Sequence, residues 1–301
     1  MKNQIFWLAS YPKSGNTLLR YILISLFFID DGNFTFNKSK NIMQFESTTI
    51  IKRNKSLFGK DLKNISDIRI FYKYLLELQS KKSLCLKEDF IFLKTHSGLF
   101  EIEGNAFTSP ANTRGIIYIV RDPRDVSISW GKHNGITLDK SIEFMNNDYA
   151  YIDWPNFKSS SYIIDDQIVP KSFLSSWEKH VLSWTSLKWK TPILILKYED
   201  LVYLKEDTIN RIMKFFEKNY NFKFNNKELK VKNIIKSTDF DKFKKFEENK
   251  GFNEATAYSK FFSVGKKDQW KNIMDADQIK QIEKKFSNVM KKFNYKLSVD
   301  I

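Results

Sequence analysis

The sequence predicts an α/β fold: one domain over residues 1–301, with a central parallel sheet flanked by helices. Three observations predict it. Four short runs, 5–9, 90–93, 116–120 and 193–196, are apolar on both faces, as strands inside a parallel sheet must be. Helical patterns border each run, as expected of βαβ units with right-handed crossovers. No repeat, low-complexity block or linker divides the chain, and 301 residues with 42% hydrophobic content suffice for one large core.

The first run, IFWLA, ends in Ser10-Tyr11-Pro12-Lys13-Ser14-Gly15-Asn16-Thr17, a tight polar loop before a helix over 17–28. That helix is apolar nearly all round except Arg20, so it should lie buried against the sheet. The apolar stretch 22–29 is too short to span a bilayer, and no transmembrane segment is expected. The opening residues lead straight into the loop without a cleavage site, so no signal peptide is expected either. The second run ends in Lys94-Thr95-His96, the third in Arg121-Asp122, the fourth in Lys197-Tyr198-Glu199-Asp200. Beyond Leu201 the chain reads as helical, including 208–218 and 276–292. Three stretches, 31–66, 136–171 and 246–265, read as irregular walls or lids, with disorder an equal alternative over 156–168.

Open parallel sheets bind ligands at the carboxyl ends of their strands. Here those ends bring together lysine, histidine, arginine and tyrosine, an anion site with a candidate general base. In the first loop, Gly15 lets the backbone approach a ligand, and Ser14, Asn16 and Thr17 sit at the positive end of the next helix with Lys13 beside them. The nucleotide-hydrolase loop G-x-x-x-x-G-K requires glycine where this chain has Trp7 and Pro12, which argues against a kinase or ATPase loop and its magnesium. In the third segment, Asp122 is a good N-cap and Pro123 suits the first helical position. Arg121 then stands near a second positive helix end, with Asp125 and Ser129 on one helical face; Arg121 serves either a second phosphate or a bridge to Asp125. Of three histidines, His133 and His180 lie inside helical patterns and read as structural. His96 ends a buried strand, and its imidazole is the natural base for an acceptor hydroxyl.

Composition narrows the class. Net charge is +15, from 50 basic and 35 acidic residues, but the lysines are scattered among acids with no basic arm or zinc spacing. A general positive field around an anionic ligand fits better than nucleic-acid binding. The single cysteine, Cys85, rules out an internal disulfide framework and suits a reducing, cytoplasmic compartment.

The motifs then carry a resemblance. YPKSGNT before an apolar helix resembles the 5′-phosphosulfate loop of the cytosolic-type sulfotransferases, which use 3′-phosphoadenosine 5′-phosphosulfate (PAPS) as sulfuryl donor. KTH is similar to the segment bearing that family's catalytic histidine, RDPRDVSIS to its 3′-phosphate motif, KYEDL to its tyrosine-bearing strand end, and GKKDQWK to its late G-x-x-G-x-W-K segment. The five occur in family order between residues 10 and 271. The resemblance implies that family's P-loop-like architecture and transfer from PAPS to a hydroxyl or amine, releasing adenosine 3′,5′-bisphosphate (PAP) without a metal. It implies Lys13 at the 5′-phosphosulfate, with Ser14, Gly15, Asn16 and Thr17 as surrounding donors. Arg121 and Ser129 would hold the 3′-phosphate, Tyr198 the nucleotide, and Thr238 with Phe240 the adenine. His96 would be the base, with Lys13 and Lys94 as supporting cations.

Three departures stand out. Leu18 replaces the family's aromatic residue, leaving either lower donor affinity or a larger share for Phe240. Ser263 and Val264 replace the Arg-Lys pair before Gly265, so Lys266 or Lys267 is expected to compensate. Asp268 replaces the second glycine of that segment. The rival readings are an ATP-dependent phosphotransferase and a basic nucleic-acid-binding protein. The walls are rich in Phe, Tyr, Trp and Lys, which suits a small-molecule, carbohydrate or lipid acceptor.

Overall fold

A computed structural model describes residues 4–153 and 170–298. Five parallel strands form the central sheet: β1 (Ile5–Ser10), β2 (Met43–Gln44), β3 (Ile91–Thr95), β4 (Thr113–Val120) and β5 (Ile193–Lys197), in the spatial order β2-β3-β1-β4-β5. All six residues of β1 are buried, and their side chains alternate between two cores. Trp7 and Ala9 join one cluster with Tyr118 and Val120 of β4; Phe6 and Leu8 join the other with Ile117 and Ile119. This alternation is why the strands read as continuous apolar runs: a parallel strand covered on both faces has no polar side.

Helices supply the two outer layers. On one face lie α1 (Asn16–Phe28), α6 (Lys205–Tyr220) and α7 (Lys227–Ser237), which bury Leu19, Ile22, Ile212, Phe216 and Ile234. On the other lie α2 (Ile68–Leu78), α5 (Trp177–Thr185) and α9 (Ala276–Lys292), with Phe71, Leu75, Trp177, Trp184 and Phe286. Two further helices, α3 (Pro123–Asn134) and α4 (Leu138–Asn146), pack on each other below the end of β4, and α8 (Phe240–Lys250) follows α7. The predicted α/β class with a central parallel sheet therefore holds.

The irregular stretches contain more order than the sequence predicts. Residues 31–66 include the edge strand β2 and the short helix Thr48–Arg53, elements too brief to leave a periodic signal. Within 136–171 lies α4, started by Thr137, whose hydroxyl accepts from the Lys140 amide, and pinned by buried Ile142 and Met145. A small hairpin pairs Tyr151–Asp153 with Lys171–Phe173. The first residues of 246–265 complete α8. The stretch 156–168, read as lid or disorder, lies outside the described residues.

A buried ion cluster locks α3 to α9. Asp122 caps α3 by accepting from the Arg124 amide at 3.0 Å, and its carboxylate takes two guanidinium bonds from Arg124 at 2.9 and 2.6 Å. The remaining arm of Arg124 pairs with Glu283 of α9, and its guanidinium lies 3.7 Å over the ring of Trp270. Removing one partner of a buried pair strands the other charge. Glu283→Ala should therefore cost about 3–5 kcal/mol of stability, measured by urea unfolding against the unsubstituted chain.

Candidate active site

The register of the sheet brings the strand ends level. Leu8 and Ala9 lie opposite Lys94 and Thr95 on one side, and Ala9 and Ser10 opposite Tyr118 and Ile119 on the other. The chain leaves β1 for β2 and then β3 on one side before crossing to β4 on the other, so the loop after β1 sits where the strand order reverses, the expected ligand crevice of such sheets.

The backbone of this loop is specialised. Gly15, the N-cap of α1, has φ 96°, and a Cβ there would meet the Tyr198 ring at 2.5 Å, so only glycine fits. Lys13 is also left-handed, at φ 64°, a conformation that costs a non-glycine residue energy and recurs at ligand sites. The Asn16 amide donates to the Leu8 carbonyl at 3.1 Å and to Ser10 Oγ at 3.2 Å, tying the start of α1 back to β1.

A cavity of about 400 Å³ opens here. Lys13, Gly15, Asn16, Thr17, Leu18, Lys94, His96, Arg121, Ser129, Tyr198, Thr238, Phe240 and Gly265 all contribute to its wall. Two predicted residues do not. Ser14 is buried behind the loop. Lys266 is exposed outside the cavity, its carbonyl accepting from Gln269 Nε2, and Lys267 lies 4.8 Å over the Tyr203 ring instead. Lys205, whose ammonium donates to the Thr238 carbonyl at 2.9 Å, is the lysine that lines this end of the cavity.

Arg121 does not bridge to Asp125. Its Nη1 donates to the Lys13 carbonyl at 2.8 Å and its guanidinium lies 4.2 Å over the Tyr198 ring, while Asp125 accepts from the Trp270 amide. Among the described residues, Arg121 Nε and Ser14 Oγ are buried without a hydrogen-bond partner. Of the two, Arg121 lines the cavity, and its orphaned buried donor beside a cationic loop fits an anionic ligand with oxygen acceptors.

His96 ends β3 with Nδ1 2.9 Å from the Ser10 carbonyl. Only a protonated Nδ1 can donate to that oxygen, so the lone pair resides on Nε2. Burial, reinforced by the Lys94 charge, holds the imidazole well below its ordinary pKa, so it is neutral at pH 7. Lys13 is lowered to about 7: desolvation does most of this, Glu254 opposes it, and Arg121 and Lys94 add to it.

Two site residues escape the sequence reading. His133, read as structural from its place in α3, faces the cavity with Nδ1 3.2 Å from the Lys13 ammonium. Burial and the Lys13 charge push it down to about 3, so it is neutral and accepts from Lys13. Glu254, in the segment after α8, accepts from Thr17 Oγ1 at 2.8 Å, Arg20 Nη2 at 2.5 Å and Lys94 Nζ at 3.4 Å. Burial disfavours its charge, but Arg20 and Lys94 prevail and hold the carboxyl well below the usual range. That segment is fastened over the cavity at two more points. Thr256 Oγ1 donates to the His133 carbonyl, and Glu247 of α8 accepts from the amides of Phe261 and Phe262. The only signal for Glu254 in the sequence is indirect: Arg20 and Lys94, once buried, require a counter-charge.

His180 is structural, as its helical context suggests. Its Nε2 donates to the His96 carbonyl at 3.0 Å and its Nδ1 accepts from the Tyr118 hydroxyl at 2.9 Å.

Comparison with known proteins identifies the family. The sulfotransferase domain family model matches residues 3–294, and the chain belongs to that family. Luciferin sulfotransferase of Photinus pyralis is 25% identical over 246 residues, 78% of this chain and 55% of the relative, so the match spans about half of that protein's length. Amine sulfotransferase of Oryctolagus cuniculus is 23% identical over 303 residues, covering 98% of this chain and 83% of the relative. A mouse sulfotransferase solved in complex with PAP shares the fold at a TM-score of 0.56, with 18% identity over 98% of this chain and 86% of that one.

Burial pushes His180 down to about 4. Below about pH 6.5 the unfolded chain takes up a proton that the folded His180 refuses, so its contribution to stability is complete above that pH and is lost on acidification. The unfolding free-energy difference between the unsubstituted chain and His180→Gln should shrink by about 1.4 kcal/mol per pH unit from 6.5 towards 4, measured by denaturant titration.

Proposed function

We propose that this chain transfers the sulfuryl group of PAPS directly to a hydroxyl or amine of a small acceptor. The observation that carries the reading is the juxtaposition of His96, neutral and held through Nδ1 by Ser10, with Lys13 and Lys94 in the wall of one cavity. The acceptor O–H loses its proton to His96 Nε2 as its oxygen attacks sulfur in line. The bond from sulfur to the bridging oxygen breaks, and PAP leaves with the negative charge that Lys13 stabilises. Arg121, with one guanidinium nitrogen unpartnered, and Ser129 of α3 would take the 3′-phosphate. Thr238 and Phe240, at the start of α8, would flank the adenine opposite Leu18, with the Phe240 ring supplying the aromatic surface that Leu18 lacks.

For the acceptor, the names of the luciferin and amine relatives support a small molecule, and a sugar or lipid stays within the proposal. No helix among the described residues is long and apolar enough to cross a membrane. A cytoplasmic setting is proposed from the lone, exposed Cys85.

The central test pairs binding with turnover. PAP should raise the melting temperature and ATP should not, because a ligand stabilises the state it binds. His96→Ala should keep that PAP-induced rise while losing transfer from labelled PAPS in an acceptor screen by about 100-fold or more. Wild-type transfer by this variant would rule out the base assignment.

Lys13 gives PAP binding a pH dependence. The ammonium form attracts the anion, so affinity is complete below about pH 7, and above it binding must first restore the proton. Calorimetric titration should show PAP affinity falling by up to about tenfold per pH unit above 7, and Lys13→Ala should flatten that slope.

A further inference from the structure

We propose that Glu46 is a positioning residue for His96: its carboxylate grips both neighbours of the histidine and so fixes the turn that aims the imidazole into the cavity. The proposal rests on the sulfuryl-transfer reading, in which His96 is the base.

Glu46 follows the edge strand β2 and is 3% exposed. The pairing of Met43 and Gln44 with Leu93 and Lys94, continued by the Phe45 amide donating to the Lys94 carbonyl, brings it to the end of β3. One carboxylate oxygen, Oε1, accepts from Thr95 Oγ1 at 2.6 Å and from Ser97 Oγ at 2.5 Å. The other accepts from Gln44 Nε2 at 3.1 Å. Thr95 Oγ1 thus donates to Glu46 and also accepts from the Ser97 amide at 2.9 Å, so its hydroxyl ties the carboxylate to the backbone of the turn. The carboxylate thus closes a ring over residues 95–97, with His96 at its apex.

Other groups hold the same turn by its backbone. The His96 carbonyl accepts from His180 and the Ser97 carbonyl from Trp184 Nε1. Among the described residues, only Glu46 joins the two side chains flanking His96. Two hydroxyls sharing one buried acceptor have no alternative partner if it is removed, and the cost of stranding them would be relieved by moving the turn. A displaced turn breaks the contact of His96 Nδ1 with the Ser10 carbonyl, and with it the tautomer that leaves Nε2 basic. Glutamine, nearly the same shape, still offers one oxygen to both hydroxyls, so geometry rather than charge is what Glu46 supplies.

With three histidines in the chain, the ring signals of ¹⁵N-histidine-labelled protein can be assigned from His133→Gln and His180→Gln variants. The unsubstituted chain should show His96 with a protonated Nδ1 and an unprotonated Nε2. In Glu46→Ala the two nitrogen signals of His96 should move towards each other as the tautomers mix, while Glu46→Gln should restore the original pair. PAP affinity should stay within about twofold in both variants, since Lys13, Gly15, Asn16, Thr17 and Arg121 keep their own contacts. If Glu46→Ala does not fold, Ser97→Ala, which removes one of the two gripped hydroxyls, should produce the same movement. Unmoved His96 signals in a folded Glu46→Ala or Ser97→Ala protein would overturn the proposal. Absence of PAP binding to the unsubstituted chain would instead count against the sulfuryl-transfer reading.

Discussion

Buried positive charge is the constraint on which this end of the molecule depends. Arg20, Lys94 and Arg121 are each less than a tenth exposed, and Lys13 joins them in the same wall. Desolvating cations is costly unless acceptors compensate, and each of these has found one. Glu254 serves Arg20 and Lys94, the Lys13 carbonyl and the Tyr198 ring serve Arg121, and neutral His133 serves the Lys13 ammonium. The segment after α8 has little regular structure of its own, so these contacts, with those of Glu247 and Thr256, are what shape it.

The sheet creates the constraint. Because β1 lies between β3 and β4, with both faces covered, its carboxyl end has no direction to go except into the crevice between its neighbours. Gly15 accomplishes the turn, and the Tyr198 ring against it forbids any side chain there. The same ring backs Arg121, so one aromatic residue sets both the loop's approach and the arginine's orientation. Distances between strand ends are then fixed by strand spacing, which is why residues as far apart in the sequence as Lys13 and Tyr198 reach one cavity.

Much of this was legible in the sequence, for a physical reason. Strands buried on both faces leave continuous apolar runs, and the residues that end them are those delivered to the crevice; Lys13, His96, Arg121 and Tyr198 could be read from that alone. What escaped has no periodic or positional signal. The strand β2 is two residues long, and α4 is a short helix of mixed composition. His133 looks like a helix residue because it is one; only the packing of α3 turns it towards Lys13. Lys266 and Lys267 were reasonable substitutes by sequence position, but the chain turns there with Asp268 left-handed at φ 59°, and Lys205 from another helix lines that end instead. Glu254 and Glu46 illustrate the general limit: a counter-charge or a clamp is defined by what it touches, and its partners are remote in sequence.

Desolvation also links the chemistry of the site to its packing. The same burial that obliges the cations to find partners lowers the pKa of His96 and of Lys13. For His96 the effect is to keep the imidazole neutral at pH 7, which suits the base the proposed reaction needs, at the expense of basicity. For Lys13 it places the proton near its balance point, so that an anion bound beside it draws the charge out. In the proposed reaction a neutral base and a charged cation stand in one wall without conflict: a bound anion stabilises the Lys13 ammonium that meets it, while the imidazole, held by Ser10 through Nδ1, presents its Nε2 edge to the acceptor.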